Sequence, residues 1–204
     1  MALFKPEATT TSSNFNGICA CTIVDIEDKS ADFDWADIYL QVTLLQDGSK
    51  YTRRANIVGG FEKEPNGNIA GGSVIKRMYG FFATINCDAG INIKGEWEDS
   101  KGNKIDDIAE FLNKYTEEWD GETPGKDGKY LAYFYKQAPK KPGKQAYNVA
   151  HYKMYPNGGN CREQLQGDID WMTSRGYIKE DTGQAQPIQE VAAEDLGSLA
   201  LDNL

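Results

Sequence analysis

The chain has 204 residues, with 31 acidic and 22 Lys or Arg side chains and a formal net charge of −9. This length favours one domain with appendages, and no apolar run approaches the roughly 20 residues that cross a bilayer. The N-terminus lacks the long apolar core of a secretory signal, so we expect a cytoplasmic protein that does not enter a membrane.

Five β-strands are predicted from segments that are rich in Ile, Val, Thr and Tyr and alternate in polarity. Residues 1–15 precede them as a polar, Thr/Ser-rich arm that we expect to be flexible. Asp47-Gly48 is a strong hairpin signal between the second and third strands. The predicted strands are 18–26, 39–45, 51–58, 130–136 and 145–155.

Three helices are predicted between and after the strands. Ser73 is expected to be the N-cap of the first helix, although Gly80 weakens its interior. Asp107 and Asn160 each precede a Glu by three residues, which is capping-box spacing, and Gly176 is a fitting stop for the third helix. The expected apolar stripes are Ile75, Met78, Tyr79, Phe82 and Ile85; Ile108, Phe111, Leu112 and Tyr115; and Cys161, Leu165, Ile169 and Met172.

The element order indicates a mainly β, α+β fold. Three strands, helical material and two strands follow the order of the OB-fold, a five-stranded, partly open barrel that binds oligonucleotides. We therefore expect an OB-fold-like nucleic-acid-binding domain at residues 16–156. An accessory helix at 157–180 and an acidic, disordered tail at 181–204 would follow it.

The charge of the chain is strongly segregated. Residues 128–162 contain seven Lys or Arg residues and no acidic residue, although the whole chain is acidic. Seven tyrosine or phenylalanine rings are interleaved with these cations. Cations beside flat aromatic faces suit single-stranded nucleic acid, which offers both phosphates and bases. The alternative is that tyrosine is a common strand residue and that the lysines protect strand edges.

The predicted hairpin at 130–155 therefore carries the main candidate site. Alternation divides the hairpin into two similar faces, either of which could be the core side, and our expectation is that Phe134, Ala150, Tyr152 and Met154 point into the core. Arg53-Arg54 and Lys76-Arg77 are further candidate pairs, and the two adjacent arginines must point to opposite faces of their strand. The candidate nucleic-acid-binding residues are Arg53, Arg54, Lys76, Arg77, Tyr133, Tyr135, Lys136, Lys140, Lys141, Lys144, Tyr147, Lys153 and Tyr155.

Catalytic and metal-binding patterns are weak. The only histidine, His151, lies in the middle of a predicted strand, and the four cysteines lack the paired spacing of a zinc site. Candidate two-metal carboxylates fall at turn and cap positions, where acids are expected anyway. We therefore expect no catalytic residue, no metal, no cofactor and no enzymatic activity.

The acidic C-terminal tail is the second informative feature. It can compete with nucleic acid for the basic strip, and its leucines offer another protein an apolar contact. A purely solubilising tail is the alternative. The expected partner-binding residues are Glu194, Asp195, Leu196, Leu199, Leu201, Asp202 and Leu204.

Together, the β-rich body, the Tyr/Lys-laced hairpin and the acidic, leucine-ended tail resemble phage-encoded OB-fold single-stranded DNA-binding proteins. The resemblance covers residues 17–155 and the tail, and it lies in architecture and charge layout. It implies sequence-nonspecific binding of single-stranded DNA in phage DNA replication or recombination, by aromatic stacking and Lys–phosphate contacts. The tail would recruit replication or recombination proteins. The implied groove residues are Tyr133, Tyr135, Lys136, Lys140, Lys141, Lys144, Tyr147 and Lys153.

Two other functions remain open. A β-rich body with flexible ends is also normal for a virion structural or assembly protein. A metal-dependent nuclease is the less favoured possibility. The added helix at 161–175 could pack on the barrel or mediate a homodimer.

Overall fold

The computed structural model describes residues 16–117, 130–141 and 143–181. The strands are β1 (Gly17–Asp28), β2 (Ile38–Gln46), β3 (Thr52–Gly59), β4 (Glu62–Lys63), β5 (Ile69–Gly71), β6 (Gly90–Ile91), β7 (Trp97–Glu98), β8 (Tyr130–Gln137) and β9 (Tyr147–Pro156). The helices are α1 (Ser73–Thr84), α2 (Ile108–Glu117) and α3 (Cys161–Ser174), with a 3-10 turn at Ser30–Asp32. The mainly β, α+β class that the sequence predicts is confirmed.

The main sheet has five antiparallel strands in the order β3-β2-β1-β8-β9. The first half of β1 pairs with β8, and its second half pairs with β2. A register shift between Ile23 and Asp25 adds local twist to this long strand. Cα atoms of β3 and β9 approach within 8 Å, but the described residues form no ladder between them, so the sheet is not closed.

The main core lies between one face of this sheet and helices α1 and α2. Alternate residues of β2 and β3 enter it, as strand periodicity requires, and Met78 and Phe82 meet them from α1. Asn113 of α2 binds the backbone of Ile26 in β1 twice, accepting from its N–H at 2.9 Å and donating to its carbonyl at 2.8 Å. This side chain therefore satisfies strand groups beside the register shift.

Helix α3 makes a second core on the opposite face of the sheet. Leu165, Ile169 and Met172 are buried against Leu131 and Tyr135 of β8. The predicted apolar stripe of this helix is confirmed, and Gly176 has the positive φ of 71° expected just after a helix end. The segment that the sequence sets apart as an accessory helix thus packs on the sheet.

Most local signals are confirmed at the expected positions. Gly48 has a φ of 75°, and Ser49 N–H donates to Gln46 O at 3.0 Å, which closes the predicted hairpin. Asp107 accepts from Glu110 N–H at 2.9 Å, as a helix cap does. The prediction that Ser73 is an N-cap is wrong by one residue, because Gly72 holds that position at a φ of 145°. Among the described residues, no helix has the length and apolar character that crossing a membrane requires.

Candidate nucleic-acid interface

The inner face of the β8–β9 hairpin belongs to the main core. Phe134, Ala150 and Met154 are buried there, and Tyr152 packs partly buried against the same cluster. The predicted choice of core face is therefore confirmed. The register between the two strands shifts between Ala132 and Phe134, so that residues 151–153 form a bulge opposite Tyr133.

The outer face of the hairpin is covered by α3. Tyr135 is only 7% exposed and lies in the second core with Leu165 and Ile169. The prediction that Tyr135 is accessible for base stacking is therefore wrong. The physical reason is that β8 is apolar on both faces, and the amphipathic α3 buries the face that the main core leaves uncovered.

The polar groups of this face are bonded to carboxylates from the C-terminal segment. Tyr133 donates its hydroxyl hydrogen bond to Glu180. Asp168 accepts from the Tyr155 hydroxyl at 2.8 Å and pairs with Lys153 Nζ at 2.6 Å. Burial and the bonded carboxylates raise the pKa values of both tyrosines. Tyr133, Lys153 and Tyr155 are therefore not free groups on an open groove, because each already bonds to a carboxylate of the protein.

Lys136, at the end of β8, also bonds to a carboxylate of the C-terminal segment. Its Nζ lies 2.6 Å from a carboxylate oxygen of Asp181. The backbone N–H of Asp181 also donates to Lys136 O at 2.8 Å, and Ala138 N–H donates to Lys179 O at 2.9 Å. Residues 179–181 therefore lie along β8 beyond the point where β1 ends its pairing, at Gly17 opposite Phe134.

The connection between β8 and β9 keeps its three lysines in solvent. Lys140, Lys141 and Lys144 are exposed, and none forms an ion pair with a described carboxylate. Gly143 turns the chain at a φ of 77°. Tyr147, at the start of β9, is 51% exposed. We call Lys140, Lys141, Lys144 and Tyr147 the lysine loop, and all four are accessible as the sequence predicts.

The Arg53-Arg54 pair divides between the two faces of β3, as predicted. Arg53 lies on the core side, is 8% exposed, and has a lowered pKa because of burial. Its expected role in contacting phosphate is corrected, since the side chain is largely withdrawn from solvent. Arg54 pairs across to Thr43 and is exposed.

A cavity of about 510 Å³ brings the second cationic pair next to the hairpin. Lys76 and Arg77 of α1 line it together with Lys153 and Tyr155 of β9, so four predicted residues meet there. The Arg77 guanidinium lies 5.7 Å from the ring centre of Tyr152, and Lys153 Nζ lies 5.9 Å from that of Tyr155. The sequence did not indicate this convergence, because it depends on how α1 packs against β9.

His151 is buried next to the cavity residues. It is 7% exposed, and its Nδ1 accepts from the backbone N–H of Lys153 at 3.1 Å. Burial, with Lys153 as the next cause, lowers the pKa of this imidazole to about 4. The side chain is therefore a neutral acceptor at pH 7, and Asp168 and Arg77 are the other charged groups that act on it.

The described residues contain no cluster of three or more His, Cys, Asp or Glu side chains that could hold a metal ion. The four cysteines are free thiols, and burial raises the pKa of Cys21 to about 12 and that of Cys87 to about 11. A high thiol pKa leaves little of the reactive thiolate at pH 7.

The predicted partner-binding residues of the tail lie outside the described residues. They are Glu194, Asp195, Leu196, Leu199, Leu201, Asp202 and Leu204. Comparison with known proteins adds no identification, since no protein-family model, no curated protein and no solved structure matches this chain.

Proposed function

We propose that this chain is a sequence-nonspecific single-stranded DNA-binding protein that acts in phage DNA replication or recombination, in the cytoplasm of the host cell. The observation that carries the proposal is the lysine loop, in which three exposed lysines without a described carboxylate partner adjoin an exposed tyrosine. Lysines of this kind attract phosphates, and a ring beside them can stack on a base.

An OB-fold-like barrel is the architecture that we propose for the domain. The strand order β3-β2-β1-β8-β9, the register shift in β1 and the position of α1 between the third and fourth long strands support it. The approach of β3 to β9 supports it as well. An OB-fold binds oligonucleotides on the face of its second and third strands and through two loops, and in the proposed barrel the lysine loop would be one of these loops.

The residues that carry binding in this proposal differ from the full predicted set. Tyr135 and Arg53 are buried, so they are not part of the proposed binding site. Tyr133 and Lys136 are bonded to Glu180 and Asp181, so binding through them requires these bonds to break. The lysine loop supplies the primary contact, and exposed Arg54 can add a further cation.

The start of the tail supports a competition between the tail and DNA. Residues 179–181 lie along β8, whose end leads into the lysine loop, so the tail starts close to these lysines. Residues 182–204 contain four carboxylates and no Lys or Arg. The tail can therefore place negative charge on the same lysines that phosphates would occupy, and its leucines can hold a replication or recombination protein.

The lysine loop is tested by replacing Lys140, Lys141 and Lys144 with Ala and measuring fluorescence anisotropy of a labelled oligo-dT over a salt series. Each phosphate contact on a single strand contributes about 0.7 to the slope of log K against log salt. Removal of three contacts should therefore reduce the slope by about 2. A matched variant, with Ala at Lys94, Lys101 and Lys104, removes the same charge elsewhere and should keep the slope.

Tyr147 tests the stacking component separately. Tyr147→Ala should weaken binding at every salt concentration by about 1–3 kcal/mol, the value of one stacked base, and leave the slope unchanged. Tyr177→Ala removes another exposed ring, 70% exposed and three residues beyond the end of α3, and serves as the control. Equal slopes in the two triple-lysine variants would contradict the assignment of the lysine loop.

A further inference from the structure

The cavity between α1 and β9 has the dimensions and lining of a ligand site. Its volume of about 510 Å³ falls within the roughly 300–1,000 Å³ of small-molecule sites. Phe81 and Met154 are buried and give it an apolar floor, while Lys76 and Arg77 stand at its edge on the same helix. Among the described residues, none that lines it is acidic.

Two of the three cations that line this cavity, Arg77 and Lys153, have partners in the protein. Arg77 Nη2 donates to the Ser73 hydroxyl at 2.9 Å, and its Nε donates to Ser73 O at 3.3 Å. Lys153 is balanced by Asp168, but neither Lys76 nor Arg77 pairs with a described carboxylate. The α1 side of the cavity therefore presents two positive charges, one of them orientated, to an anionic ligand.

Tyr152 and Tyr155 add flat surfaces to these charges. Both residues line the cavity, and both are only partly buried. A ligand that combines a planar ring with a phosphate would match the rings, the apolar floor and the two cations at once.

Gly80 also lines the cavity. It lies inside α1, where glycine costs about 1 kcal/mol relative to alanine. A Cβ atom at this position would meet nothing within 4 Å, so packing does not require glycine. Because Gly80 lines the cavity, a larger side chain there would occupy ligand space.

We propose that this cavity binds one nucleotide unit, with its base against Tyr152 and the apolar floor and its phosphate against Lys76 and Arg77. The inference rests on the proposed function, since the bound strand is the expected source of the nucleotide. A free nucleotide has the same chemistry and is the other possible source.

The test uses the full-length protein with leucine at Gly80, which fills the cavity. Gly167→Leu is the matched control, because Gly167 also lies inside a helix and its added Cβ would likewise meet nothing within 4 Å. Both substitutions raise helix propensity, so both variants should melt no lower than the wild type. Lys76→Gln alters only an exposed side chain and gives a second probe that cannot compromise folding.

Binding of labelled oligo-dT is measured first. Gly80→Leu should weaken it about tenfold, as expected for the loss of one stacked base, whereas Gly167→Leu should leave it unchanged. Equal affinities for these two variants would overturn the cavity assignment but leave the lysine loop untouched. Absence of binding by the wild type would instead overturn the proposed function.

The second arm follows backbone amide NMR signals of α1 and β9 during titration with oligo-dT and with free thymidine monophosphate. Movement with the oligonucleotide alone assigns the cavity to a strand, and movement with both assigns it to nucleotides in general. These shifts should be absent in Gly80→Leu. If neither ligand moves the signals, the inference is wrong. Movement with the monophosphate alone would support the cavity and contradict strand binding.

Discussion

The buried His151 should make folding stability fall as the pH drops below about 6.5. Its ordinary pKa of 6.5 is lowered to about 4 in the folded protein. At pH values between about 4 and 6.5, His151 is therefore protonated in the unfolded chain but neutral in the folded protein. Protonation in this range favours unfolding. At pH 7 both states are largely neutral, so the contribution of His151 to stability is fully present there and is lost as the pH falls.

The size of the effect follows from the two pKa values. Between pH 7 and pH 5 the difference in proton binding corresponds to about 2 kcal/mol of unfolding free energy. The structure gives the reason, because a protonated Nδ1 can no longer accept from Lys153 N–H at 3.1 Å. Positive charge on the ring would also face Lys153 and Arg77, with Asp168 only partly compensating.

The assay is urea unfolding at pH 7 and pH 5, followed by tryptophan fluorescence, for the wild type and for His151→Asn. Asparagine can keep an acceptor near the Nδ1 position but does not titrate. The wild type should lose about 2 kcal/mol more than the variant between the two pH values. The same loss in both proteins would refute the reasoning, since the pH dependence would then come from other groups.

Two further predictions concern the C-terminal part of the chain. Leu165→Ala, at a fully buried position of the second core, should reduce the unfolding free energy by about 3 kcal/mol in urea unfolding. The control is Gln164→Ala, at an exposed position, which should change the unfolding free energy by less than about 0.5 kcal/mol. A loss below about 1 kcal/mol for Leu165→Ala would show that α3 is not tightly packed. Truncation after Asp181 should strengthen oligo-dT binding several-fold at low salt, because it removes four carboxylates that the proposal has competing with DNA. Unchanged or weaker binding would argue against competition by the tail.

The strand pattern could be predicted because it is local. Each of the five long strands was located from alternation and β-branched residues, and Asp47-Gly48 specified the hairpin. The short strands β4 to β7 contain two or three residues each, which is too few for alternation to be recognised.

The accessible face of the β8–β9 hairpin could not be predicted, because it depends on how the C-terminal segment folds back onto the hairpin. The absence of acids in residues 128–162 indicated an open basic surface. Asp168, Glu180 and Asp181 lie just beyond that segment in sequence and meet its tyrosines and lysines in the fold. A segment without acidic residues can therefore still meet carboxylates from other parts of the chain once the protein is folded.

The cavity was missed for a similar reason. Lys76-Arg77 and Lys153 are separated by about 75 residues, and nothing in either segment indicates the other. In the sequence alone, Gly80 indicates only a weak point of the helix, whereas the structure shows that it lines the cavity.

The most direct test of the account is binding of full-length protein to labelled oligo-dT and to a duplex of equal length across a salt series. The account predicts preferential binding of the single strand, with affinity that falls linearly as log salt rises. Absence of binding at low salt, or equal affinity for the duplex, would contradict the claim that this chain recognises single strands through lysines and exposed rings.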